Sequence, residues 1–149
     1  QLSWSSVCTE EAAFAEKFSD DYSFTVTEGV PFLPKNENLH FASVLATHHA
    51  SGVMHVDDTL GYSELPVVGG LSFHPTLRWV LKKEAGAAAA VRRWGEELVR
   101  TAAGLKQIVT AHGPKAPSFG TGQPGPGARV EGAWARIQSI IDRHERRYG

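Results

Sequence analysis

The sequence predicts an α+β fold, a layered αββα-type arrangement in which helices cover a mixed sheet, and three observations predict it. Two β-rich runs, residues 39–48 and 53–56, flank the turn residues Ala50-Ser51-Gly52. Residues 83–103 repeat apolar side chains at three- and four-residue steps, and residues 130–148 do so again near the end of the chain. Strand-like and helix-like patterns follow one another with no internal repeat, which suits strands under helical cover.

The elements follow in order. Thr9-Glu10-Glu11 resembles a helix start, with Thr9 as N-cap and carboxylates where the macrodipole favours them. Ala12, Ala13, Phe14, Ala15 and Phe18 continue that helix, which should stop near Ser19-Asp20. Residues 22–27 read as a strand with Tyr22, Phe24 and Val26 on one face and Ser23, Thr25 and Thr27 on the other. Glu28-Gly29 turns the chain, and Pro31 and Pro34 keep the next connection extended but unpaired. The hairpin of residues 39–56 comes next and closes on Asp57-Asp58. Residues 61–70 read as a loop, and Pro75 restrains His74 to an extended backbone. In the helix of residues 83–103, Ala87, Val91, Trp94, Leu98 and Ala102 form the buried stripe, with Gly104 as its stop. A short strand runs through Ile108 and Val109 to His112-Gly113-Pro114. Residues 114–128 form a Gly/Pro-rich loop, and residues 129–149 carry the last helix with Trp134, Ile137, Ile140 and Ile141 inward.

A length of 149 residues suits a single domain or half-domain. The net charge of −1 argues against a nucleic-acid partner, and no apolar run is long enough to span a bilayer. The lone Cys8 excludes an intrachain disulfide and fits a reducing, cytoplasmic setting. The chain starts at Gln1 rather than methionine, which suggests a processed or trimmed product.

His40, Asp58 and His112 all sit at element ends, where a sheet can gather side chains from distant parts of the chain. Imidazole and carboxylate donors suit zinc, with iron or manganese as alternatives. The bland reading makes the two histidines loop residues and Asp58 a capping group. Asp57-Asp58 is more pointed, because adjacent carboxylates after an apolar strand repel unless a cation or donors sit nearby. In an extended chain the two would face opposite sides, so one enters a site and the other supports it. Thr59 reads as a local backbone binder. His48 and His49 read as strand-end surface residues, His55 as packed against a neighbour and His144 as a helix-end charge. His74 is a candidate to support ligands or touch substrate, because the backbone fixed by Pro75 could aim its ring at a pocket.

Other chemistries fare worse. Ser43, Ser51 and Ser72 lack a nucleophile-elbow setting, and nothing beside its helix start marks Cys8 as reactive. The glycines of residues 120–127 do not open a helix after a strand, as a phosphate loop requires.

His40-Phe41-Ala42-Ser43-Val44, Val56-Asp57-Asp58-Thr59-Leu60 and Thr110-Ala111-His112-Gly113 together resemble the C-terminal half of the metallo-β-lactamase fold, from about Phe24 to Gly113. The resemblance implies a metal-dependent hydrolase acting on a small-molecule substrate. In it His40 would bind the first metal, Asp58 would bridge and carry catalysis, and His112 would bind the second. Asp57 stands where the family pattern has glycine. The family's His-x-His-x-Asp-His motif has no counterpart in residues 1–37, which contain no histidine. The resemblance therefore implies a missing N-terminal half, a homo-oligomer partner, or a non-catalytic descendant acting as a binding or interaction module.

Overall fold

The computed structural model describes residues 12–39, 41–64, 70–111 and 124–149. It is an α+β fold with a mixed four-stranded sheet, a separate hairpin and a helical layer. Helix α1 (Ala12–Lys17) leads into β1 (Tyr22–Val26), followed by β2 (Val44–His48) and β3 (Val53–His55). The hairpin is β4 (Leu60–Ser63) and β5 (Gly70–Phe73). Helices α2 (Leu77–Val80) and α3 (Ala87–Ala102), strand β6 (Gln107–Val109) and helix α4 (Pro126–Tyr148) complete the chain. The sheet runs β1-β2-β3-β6, antiparallel except for the parallel pair β3–β6. Among the described residues no helix is long and apolar enough to cross a membrane.

Alternation sets the faces of the sheet. Ser43, Leu45 and Thr47 are buried, and Thr47 pairs with buried Met54. Thr25, Thr47 and Met54 line a cavity of about 280 Å³ with Leu98 and Thr101, so α3 lies against this face. On β1 the hydroxyl side thus meets the helix. Phe24 instead packs at a tilt against Phe14 of α1 and stacks with Tyr22, at centroid separations of 5.1 and 6.0 Å.

The stripe expected on α3 is the one found, with Ala87, Val91, Trp94, Leu98 and Ala102 all buried. Burying side chains of the Val and Leu type stabilises by about 1.5–3 kcal/mol each before chain entropy is charged. The helix begins at Ala87 rather than 83, because Gly86 has φ +84°, a left-handed conformation that breaks helical geometry ahead of it. Gly29, at φ +74°, turns the chain after β1 where a Cβ would meet the Ala87 carbonyl at 2.4 Å, and its own carbonyl accepts the Lys82 amide. Helix α4 starts at Pro126, inside the stretch expected as loop, since proline at the first turn needs no N–H partner. The rest of the expected loop, residues 114–123, lies outside the described residues, as do Cys8, Thr9, Glu10 and Glu11.

Residues 61–70 also differ from the expected loop. Part of that segment is β4, and Leu60 faces Phe73 across the hairpin. Its inner side chains join the core through Phe73, whose ring meets Trp94 and Trp134 edge-on at 6.1 and 5.9 Å and lies 6.3 Å from Phe41. Helices α3 and α4 meet where Trp134 covers Gly95. A Cβ on Gly95 would stand 2.2 Å from two carbons of the indole. Gly95→Ala should therefore destabilise by about 1–2 kcal/mol, since overpacking outweighs the ~1 kcal/mol gain in helix propensity. Urea titration measures this, and a stabilised variant would show that Trp134 can move aside.

Arg92 ties the same helices together outside the core. Its guanidinium donates to Asp142 and Glu145 at 2.7 Å each and to Gln138 at 3.1 Å. Hydrogen bonds from Arg92 to Asp142 and Glu145 raise its pKa further above the usual guanidinium value. The pairs are half-exposed, so their worth stays near the ~0–1 kcal/mol of surface ion pairs.

Candidate functional site

The strand ends that precede or follow the expected site residues meet at one end of the sheet. Strand β2 starts there, and antiparallel pairing brings the end of β3 to the same place. Parallel pairing adds the end of β6, with the Val56 amide donating to the Val109 carbonyl at 3.0 Å. Three chain segments that are far apart in sequence thus converge.

A buried hydroxyl network ties two of them together. Thr59, with no solvent exposure, donates from Oγ1 to the Phe41 carbonyl at 3.0 Å. Its hydroxyl has one proton, so Ser43 is the donor in the 2.7 Å contact between Ser43 Oγ and Thr59 Oγ1. The same Ser43 hydrogen is shared with the Val56 carbonyl at 3.3 Å. Backbone bonds extend the web, with the Thr59 amide on the Val56 carbonyl and the His74 amide on the Thr59 carbonyl, both at 3.1 Å.

Asp57 and Asp58 are half-buried and occupy the turn that this network fixes. Strand β3 ends at His55, so the two carboxylates do not alternate along an extended chain as expected. Asp57 has φ +42°, the only non-glycine residue with positive φ among those described. Aspartate tolerates that left-handed conformation better than branched or bulky residues do. Strand β2 likewise starts at Val44 rather than near 39. Residues 37–39 form a 3₁₀ turn, and residues 41–43 leave the ladder because their polar groups bond into the Asp57-Asp58 turn. His40 itself and His112 lie outside the described residues.

His74 is exposed rather than aimed into a pocket. Its Nδ1 lies 2.8 Å from Thr76 Oγ1 and accepts the Thr76 amide at 3.4 Å, so a neutral ring carries its proton on Nε2. Only its backbone touches the network. His48 Nδ1 bonds Ser51 Oγ at 2.8 Å, His49 Nδ1 meets the Asp20 carbonyl at 3.3 Å, and His55 is exposed instead of packed. Thr59 reaches 18 residues back along the chain, where the sequence suggested a local bond. Its signal was its place: a hydroxyl between the carboxylates and an apolar strand must find a partner if buried.

Among the described residues, no group of three or more His, Cys, Asp or Glu side chains is arranged to hold a metal ion. Comparisons with protein-family models, curated proteins and solved structures gave no match.

Proposed function

We propose that the chain is the C-terminal half of a metallo-β-lactamase-like domain, with that fold's αββα layering, and contributes to a metal-dependent hydrolase centre. The hydrogen bond from Thr59 Oγ1 to the Phe41 carbonyl carries this reading, because it joins the residue after Asp58 to the residue after His40. The Val56–Val109 bond supports it, since Val109 precedes His112 by three residues. The positive φ of Asp57 supports it too, at the position where the family pattern has glycine.

In this reading Asp58 and His40 would hold the first metal, and Asp58 and His112 the second. Asp57 and His74 support the ligands or contact substrate. Carboxylate and imidazole donors fit zinc, iron or manganese. The bound metals would lower the pKa of a water and supply hydroxide toward an ester, amide or phosphoester. The chain's own part is to fix Asp58 in its turn through Ser43 and Thr59. Two protein ligands per metal fall short of the usual three or four, so a full site draws on a missing N-terminal half or a second copy of the chain.

Elemental analysis after dialysis against zinc, iron or manganese tests the assignment. His40→Ala and His112→Ala should each lower the metal content, and unchanged content would refute the ligand set. Assays with generic ester and phosphodiester substrates test the chemistry. Protein that stays metal-free and inert with added zinc or manganese would leave the fold as a non-catalytic binding or interaction module.

A further inference from the structure

Several basic residues of the helical layer are paired with carboxylates. Arg92 is bound to Asp142 and Glu145, Arg93 to Glu28 and Arg100 to Glu97, while Lys82 stands 3.9 Å from Glu84. The cations with no carboxylate partner among the described residues include Arg136 and Arg146, which stand elsewhere on α4, and Arg78, Lys83, Arg143 and Arg147. The last four line one cleft of about 560 Å³ between α2, the turn after it and the C-terminal part of α4, and no acidic residue lines it. This volume is typical of small-molecule sites, which occupy roughly 300–1,000 Å³.

The segregation is built into α4. Asp142 and Glu145 lie on the side held by Arg92, which offsets part of their charge. Arg143 and Arg147, one helical turn apart, share the other side. In a chain of net charge −1, gathering unpaired cations around a concavity is unfavourable unless an anion enters.

Aromatic faces accompany the charge. Leu77 and Val80 of α2 are buried, whereas Trp79 between them is 52% exposed and lines the cleft. The Arg78 guanidinium lies 4.1 Å from its ring centroid. Across the cleft Tyr148 packs at a tilt of 43° against His144, with centroids 4.7 Å apart, and the Arg147 guanidinium lies 5.3 Å from the tyrosine ring; His144 Nε2 is buried with no hydrogen-bond partner among the described residues. A buried orphan nitrogen costs about 1–3 kcal/mol.

The geometry points to a binding site for a nucleoside diphosphate, with its phosphates among Lys83, Arg143 and Arg147 and its base against Trp79 and Tyr148. Guanidinium forks match phosphate oxygens in pairs, and an exposed indole offers a stacking face to a base. A pyrophosphate group presents more charge in less space than a carboxylate ligand, as a cluster of four cations demands. The size of the cleft favours a small ligand over a nucleic-acid strand, which is tracked by a continuous basic groove.

Isothermal titration with ADP, pyrophosphate and adenosine as separate titrants tests the site. ADP should bind, and should bind more tightly than either fragment. The double substitution Arg143→Gln, Arg147→Gln should weaken ADP by about tenfold or more, given the strength of charge-assisted bonds. Trp79→Ala should weaken ADP roughly fivefold and leave pyrophosphate within about twofold, because stacking acts on the base alone. Arg93→Gln, outside the cleft, serves as control, and thermal melts of each variant check that it is folded. ADP that fails to bind at ~1 mM, or binds the double variant as well as the parent, overturns the site. Pyrophosphate binding as tightly as ADP overturns the place given to the base. Tighter capture of a single-stranded oligonucleotide, with the same arginine dependence, overturns the small-ligand assignment.

Discussion

Phe73→Ala should lower the stability of the chain by about 4 kcal/mol, the largest loss expected from any single substitution considered. The ring is buried at the junction of the β4–β5 hairpin with both long helices, and Phe41, Trp94 and Trp134 surround it. Truncation removes the transfer free energy of the ring and leaves a cavity that three large aromatic neighbours are slow to fill. Each aromatic pair adds about 0.5–1.5 kcal/mol beyond buried area. Phe73→Leu keeps most of the volume and should cost less, about 1.5–2 kcal/mol, mainly through the lost edge contacts. Urea unfolding of the two variants separates the contributions. A loss below about 1 kcal/mol for the alanine variant would mean that the hairpin does not pin the helices.

The hairpin that carries Phe73 was also the part of the fold hardest to read. Its strands have four residues each, and Gly61 and Gly70 offer neither β-propensity nor side chains to alternate. The stripe on α3 was legible because sixteen residues repeat one period long enough to exclude chance. Its start was misplaced because Lys83 and Glu84 are good helix formers, whereas Gly86 marks the break only through its backbone angle. At the candidate site, the converging strand ends were legible from element order. The turn at Asp57 was not, because a positive φ on a non-glycine residue leaves no mark on composition. Nor was the cleft beside Trp79. Its cations come from residues 78–83 and 143–147, and each group alone reads as ordinary charge on a solvated helix.

Thr59→Val should cost about 3 kcal/mol although it keeps the shape of the side chain. The substitution leaves the Phe41 carbonyl without its donor and Ser43 Oγ without its shortest partner, both in a dry setting. Each such loss is worth about 1–3 kcal/mol, because desolvation is no longer offset by a bond. Ser43→Ala removes only one end of the chain of hydroxyls and should cost about 1 kcal/mol. The double variant should cost less than the sum, since Ser43 can no longer be left unpaired once it is gone. Thr59→Ser keeps the hydroxyl and isolates the methyl, worth about 1 kcal/mol. The same variants bear on the proposed metal centre through a separate reading. Left-handed backbone at Asp57 persists only where its surroundings hold it, and the network is what holds this turn. If Asp58 is a ligand, Thr59→Val should reduce metal uptake by roughly 10–100-fold at temperatures where the variant stays folded, as outer partners of metal ligands do. Thr59→Ser should keep uptake near the parent level. A Thr59→Val protein that is less stable yet takes up metal normally would confine the hydroxyls to holding the sheet end together.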